Sequence, residues 1–175
     1  MSLFDITLII IIGSFGLFGL WFGLVHTLGS LIGMILGVFL ATRYYETMAN
    51  WLMNITGWQA NFSKVLIFII AFFLINRLVG LIFWIIDKLL GFITRLPFIN
   101  GINRFLGLLF GLLEGAIGLG MVFYFIGKFP LSEWFMGKLG ESFLMPSLVN
   151  MANILTPFIP EALKAVQSSI DYFIK

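Results

Sequence analysis

Four stretches of this chain are so long and so apolar that they dictate the solvent before they dictate the fold. They run from Phe4 to Leu24, His26 to Thr42, Val65 to Ile86 and Phe105 to Gly127. A helix needs about 20 mostly apolar residues to cross a bilayer, and three of the four have them. The second is shorter. Inside hydrocarbon every backbone N–H and C=O must be paired within the protein, and a lone segment achieves this only as a helix. The expectation is therefore an all-α membrane protein with about four transmembrane helices. Residues 1–128 form the bundle, and residues 129–175 form an amphipathic interfacial tail. Only Val25-His26-Thr27 separates the first two runs, so they read as a tight hairpin or one re-entrant unit.

Composition excludes most alternatives. The chain is 61% hydrophobic and 10% charged, whereas soluble domains carry about 25% charged residues. A soluble fold built from it would expose large apolar patches and aggregate. The lipid bilayer is thus the first partner. The net charge of +2 is thinly spread, with none of the clustered Lys and Arg that a phosphate-binding face needs, so no nucleic-acid partner is expected. There is no cysteine and one histidine, His26, which excludes thiolate chemistry and multi-histidine metal centres. No nucleophile elbow, phosphate-cradling glycine loop or pair of acids at an opening is present. The sequence predicts no catalytic residue, no metal and no cofactor, and hence a non-enzyme. The first run lacks a basic leader, Asp5 being the sole charge before His26, and reads as a retained span.

The polar punctuation suggests the connections. Arg43-Tyr44-Tyr45-Glu46, then Trp51, Asn54, Gly57, Trp58, Gln59 and Asn61, read as an interfacial connector, because Tyr and Trp favour the headgroup zone. Between the third and fourth spans, Pro97 and Asn100-Gly101 mark a turn, and Asn103 is placed to cap the helix that follows. In the tail, Pro160 suits a first helical position. Leu163, Val166, Ile170, Phe173 and Ile174 fall on one face; Glu161, Lys164, Gln167, Ser168 and Asp171 fall largely on the other. That is an amphipathic helix lying on the membrane or on the bundle. His26 reads as a solvated loop residue, and Asp5 as a helix-end acid.

Glycine spacing is the clearest internal pattern. Gly29, Gly33 and Gly37, continued by Ala41, recur every four residues, as do Gly107, Gly111 and Gly115. Gly13, Gly16, Gly19 and Gly23 enrich the first span. Small residues at this spacing let membrane helices approach backbone to backbone. Packing within one chain is the preferred reading, and a homo-oligomer face is the alternative. At mid-depth the third span carries Asn76-Arg77 and the fourth carries Glu114. Arg77 lies as far before Asp87 as Glu114 lies after Arg104, so antiparallel helices bring them to one level. An unpaired charge there costs about 2.5–3.5 kcal/mol or more. An Arg77–Glu114 ion pair with Asn76 beside it is expected, as a clamp or as the lining of a polar path. Basic residues are nearly balanced between the two sides, with Lys88, Arg95 and Arg104 tilting the third turn toward the cytoplasm.

Several short motifs remain. An early acid, Asp5, opens the first span, and Phe22-Gly23-Leu24-Val25-His26 makes a Gly-centred hairpin. Ala41-Thr42-Arg43-Tyr44-Tyr45 ends the second span, Asn103-Arg104-Phe105-Leu106-Gly107 continues to Gly111 and Gly115, and Ser142-Phe143-Leu144-Met145-Pro146 follows in the tail. Together they resemble the colicin V production protein family of bacterial inner-membrane proteins, whose second span ends similarly and which carries an Asp-Arg-x-x-Gly-xxx-Gly run and a later Ser-x-Leu-x-Pro. The departures are Asn103 for the family acid, Glu114 for a family arginine, and Phe22-Gly23-Leu24 with His26-Thr27 for a charged hairpin. The resemblance implies a multi-pass inner-membrane accessory or scaffold protein. Such a protein is linked to peptide toxin production or export and envelope homeostasis, working with a membrane-protein partner or a second copy. The competing reading is a small oligomeric channel or transporter with Asn76, Arg77 and Glu114 on its path.

Overall fold

The break between the first two apolar runs is a single residue. Gly23 sits at φ 83° and ψ −178°, a backbone region that only glycine enters without strain. Helical bonding reaches it from both sides: its own N–H donates to Gly19 O at 2.8 Å, and Thr27 N donates to Gly23 O at 3.3 Å. In this computed structural model, which describes residues 3–90 and 99–166, α1 (Leu3–Phe22) thus gives way at once to α2 (Leu24–Thr56) as a hairpin-like pair.

Six more elements complete the bundle and its cover among the described residues. They are α3 (Ala60–Leu90), α4 (Ile99–Lys128), and a run of short helices: α5 (Glu133–Gly140), α6 (Met145–Ala152), a 3-10 segment (Asn153–Phe158) and α7 (Glu161–Lys164). Among the described residues there is no strand. The protein is an all-α membrane protein, and α1 to α4 are each long and apolar enough to cross a bilayer.

The second span is not short. α2 has 33 residues, about 50 Å at the helical rise, which exceeds a hydrocarbon core of about 30 Å. The stretch from Arg43 onward is therefore helix and not a connector. The polar residues that suggested a connector lie on the outer face, while Tyr45 and Ala49 keep the buried stripe going. Tyr45 meets the rings of Phe125, edge-on at 5.1 Å, and Phe129 at 5.5 Å. The real stop is Gly57, left-handed at φ 70°, whose N–H closes the helix onto Met53 O at 2.8 Å.

α2 packs most extensively on α3, and α1 on α4. Met34, Val38, Phe68, Phe72, Met121 and Phe125 fill the centre, each fully buried. Phe68 and Phe125 stack with centroids 4.0 Å apart. The chain after α4 folds back onto the bundle: Leu139, Met145, Leu148, Val149, Leu155 and Ile159 are buried, and α6 lies on α4. Lys128 Nζ donates to the carbonyls of Lys164 and Val166, tying the end of α4 to α7. Pro160 is the residue before α7 and not its first turn. Pro97, Arg95 and the far part of the amphipathic tail, from Gln167 through Ile174, lie outside the described residues.

Candidate functional site

Asn76 and Arg77 are neighbours on α3 and point two different groups at one carboxylate on α4. Asn76 Nδ2 donates to Glu114 Oε1 at 3.1 Å, and Arg77 Nη1 lies 3.8 Å from the same oxygen. Asn76 and Glu114 are buried. The Arg77 side chain is 35% exposed. Its guanidinium rests on the faces of Phe15 and Phe18 from α1, each 5.0 Å away, which shelters charge by the ring quadrupole. The cluster therefore joins three helices: α3 supplies amide and cation, α4 the acid, α1 the aromatic walls.

The two glycine ridges serve two different seams. Gly29, Gly33 and Gly37 let α3 come close: a Cβ on Gly29 would lie 2.5 Å from Phe83 Cβ, one on Gly33 2.8 Å from Asn76 O, and one on Gly37 2.9 Å from Phe72 O. Gly107, Gly111 and Gly115 face α1, where a Cβ would run into the carbonyl oxygens of Gly19 and Phe15, or press on the Phe15 side chain at 3.0 Å. Gly16 and Gly19 reciprocate from α1.

The short motifs meet at the ends of these seams. Asn103 does not cap its own helix. It lies inside α4, and its Oδ1 accepts from Leu24 N at 2.9 Å, so it caps the start of α2 across the bundle. The reason is the Gly23 break, which frees the first N–H groups of α2 beside the Gly19–Gly107 contact. Arg104, next to it, is exposed. At the other end Asp5 is buried in α1, and Ser142 Oγ donates to its Oδ1 at 2.6 Å. The same oxygen accepts from Leu144 N at 3.4 Å, and Ser142 Oγ accepts from Met145 N at 3.2 Å. Pro146 stands in the first turn of α6, where no N–H is needed. Asp5 is thus a helix-end acid twice over: it stands in the first turn of α1, and its carboxylate also accepts from the Leu144 N–H at the start of α6.

His26 departs from its reading as a solvated loop residue. It lies in α2, 4% exposed, with Nδ1 2.9 Å from Gly80 O, because α2 begins two residues earlier than its polarity suggests. Ser30, one turn on, is fully buried and escaped sequence reasoning. The available signal was its position on the face shared by His26, Gly33 and Gly37. His26 Nε2, Ser30 Oγ and Asn76 Oδ1 are buried with no hydrogen-bond partner within the protein. Among the described residues, no cluster of His, Asp and Glu that would hold a metal is found.

Against known proteins, a family model described as Colicin V production protein matches residues 4–153, from the start of α1 through α6. No curated protein and no solved structure matches the chain.

Proposed function

We propose a role from the premise that this chain belongs to the colicin V production protein family and is a multi-pass membrane protein. It acts in the bacterial inner membrane as a non-enzymatic accessory or scaffold. There it supports peptide toxin production or export, and envelope homeostasis, through helix contacts with a membrane-protein partner or a second copy. One observation carries this reading. The interior is filled by interlocked apolar side chains, with Phe68, Phe72 and Phe125 stacked where a pore would run. A filled axis favours a body that presents surfaces over one that conducts solute.

The surfaces on offer are broad. α1 is sided by α4 and leaves Ile6, Ile9, Ile10, Leu17 and Trp21 exposed. In the reading proposed here, the Asn76–Arg77–Glu114 cluster is a clamp that fixes α3 against α4 and α1. The test is a secretion assay paired with reconstitution. A producing strain lacking the protein should release less active toxin and recover when the chain is restored. Purified protein in liposomes should pass no ions or small solutes. Conductance that disappears on Arg77→Ala would replace the scaffold with a channel.

A further inference from the structure

Five hydroxyls in the long helices bond the carbonyl four residues back: Thr7, Ser14, Thr27, Thr42 and Thr56. This is how a hydroxyl is satisfied in hydrocarbon. Ser30 is fully buried and does not do so. Its Oγ is turned instead toward α3, where a Cβ at Gly80 would strike it and would also come within 3.0 Å of His26 Cε1. The missing side chain of Gly80 thus makes the space that the imidazole and hydroxyl share. One turn along α3 lies Asn76, against which Gly33 packs, a Cβ there falling 3.0 Å from Asn76 Cα. Asn76 gives its amide nitrogen to Glu114 and leaves its oxygen unpaired. Turning the amide over would set its oxygen against the Glu114 carboxylate and leave its nitrogen orphaned instead.

Of the four buried side-chain atoms without a partner among the described residues, Ser63 Oγ lies near the start of α3, and the other three follow one another along the α2–α3 seam: His26 Nε2, Ser30 Oγ and Asn76 Oδ1, the last on a side chain bound to Glu114. Each costs several kcal/mol in a medium with no competing partner. Their chemistry selects the guest. The set mixes donors and acceptors. A cation would sit beside Arg77 and an anion beside Glu114, so a neutral molecule of two donors and two acceptors fits: water. We propose that His26, Ser30 and Asn76 line an internal hydrated site that joins Glu114 to the aqueous phase on one side of the membrane only. The side nearest to solvent is the one where α1 meets α2: His26 stands three residues from the Gly23 break and, at 4%, is the one of the three that keeps any exposure. The other direction is closed by Met34, Val38, Phe72 and Phe125, all fully buried. The site gives Glu114 a route for exchanging protons with one compartment and gives ions no route through.

The absence of cysteine makes the test direct. Ser30→Cys changes one atom and places a thiol in the seam, and Val38→Cys places one in the sealed part. In sided vesicles, silver ion, which is small enough to follow water, is added to one face. Remaining thiols are then alkylated in detergent. Silver from the α1–α2 side should abolish alkylation of Ser30→Cys, leave Val38→Cys fully alkylated, and do nothing from the opposite side. A folded Ser30→Cys variant that silver does not reach, or reaches equally from both faces, overturns the proposal. A second measurement needs no variant. Hydroxyl-radical footprinting of the unaltered chain in lipid nanodiscs labels side chains that touch bound water. His26 should be oxidised well above Phe72, which is also buried, and equal oxidation of the two would also overturn it.

Discussion

Gly107→Ala adds one methyl group where the α1 and α4 backbones touch. That methyl would overlap Gly19 O and stand 2.9 Å from Gly23 C and 3.0 Å from Gly19 C. Comfortable carbon contacts lie at about 3.5–4.0 Å, so the helices must separate by about half an ångström to one ångström at that level. Every atom in the way is backbone, and no rotamer change relieves it. Overpacking costs about 1–3 kcal/mol where neighbours adjust, which puts this site at the upper end. Separation also stretches the 2.9 Å bond from Leu24 N to Asn103 Oδ1, one turn away, worth about 1 kcal/mol. Against this, alanine is the better helix former by about 1 kcal/mol. The net expectation is destabilisation by about 2–3 kcal/mol. Gly13→Ala in α1 and Gly101→Ala in α4 meet nothing within 4 Å and should be neutral or stabilising. The assay is reversible unfolding in mixed micelles, titrating with denaturing detergent and following helicity. If Gly107→Ala unfolds together with Gly13→Ala, the close backbone seam is wrong.

Three further outcomes follow from the same contacts. Asn103→Ala strands the Leu24 N–H and should cost about 1–3 kcal/mol in that titration, while Asn103→Asp keeps an acceptor at a helix start and should unfold like the unaltered chain. Arg77→Leu leaves the buried Glu114 carboxylate with Asn76 alone. Its cost should approach the low end of the roughly 3–5 kcal/mol seen for broken buried pairs, since Arg77 is 35% exposed, and the Arg77→Leu/Glu114→Leu double variant should recover much of it. Asp5→Ala removes the acceptor that holds Ser142 and Leu144, so limited proteolysis should cut the chain between Phe129 and Met145 faster, with the spans left intact.

Much of this was legible in the sequence because hydrocarbon leaves so few options. Length and apolarity alone mark four helices, and the four-residue glycine period marks which faces come close. The facing depth of Arg77 and Glu114 follows from antiparallel connection, with no knowledge of side-chain geometry. What stayed hidden were events between elements distant in the chain. Asn103 looks like a local cap, because local capping is the commoner use of such a residue before a helix. Its actual partner at Leu24 is 79 residues away and exists only because Gly23 breaks the helix there. Asp5 and Ser142 are in the same position, 137 residues apart. The extent of α2 was lost for a different reason. Arg43 to Glu46 are polar enough to end a span, yet a helix that leaves the hydrocarbon has no cause to end there. Only Gly57, with its left-handed backbone, stops it.

The packing divides the bundle into two zipped pairs, α1 with α4 and α2 with α3, each closed by its own glycine ridge. Within a pair, close backbones supply dispersion contacts, which are non-directional and fix no angle between the pairs. The directional bonds lie elsewhere. Leu24 to Asn103 links α2 to α4 at one end, Asn76 and Arg77 to Glu114 link α3 to α4 at mid-depth, and Asp5 to Ser142 links α1 to the returning chain at the other end. Polar groups are costly in lipid, and this chain places its buried ones where two units must be set in register. One exception is the His26–Ser30 stretch, which lies within a pair, where the glycines already set the register. Its polar atoms bridge nothing between the units: His26 Nδ1 meets Gly80 O inside the pair, while His26 Nε2 and Ser30 Oγ are left without protein partners. A polar group that the fold does not need for assembly is the one whose presence calls for a guest.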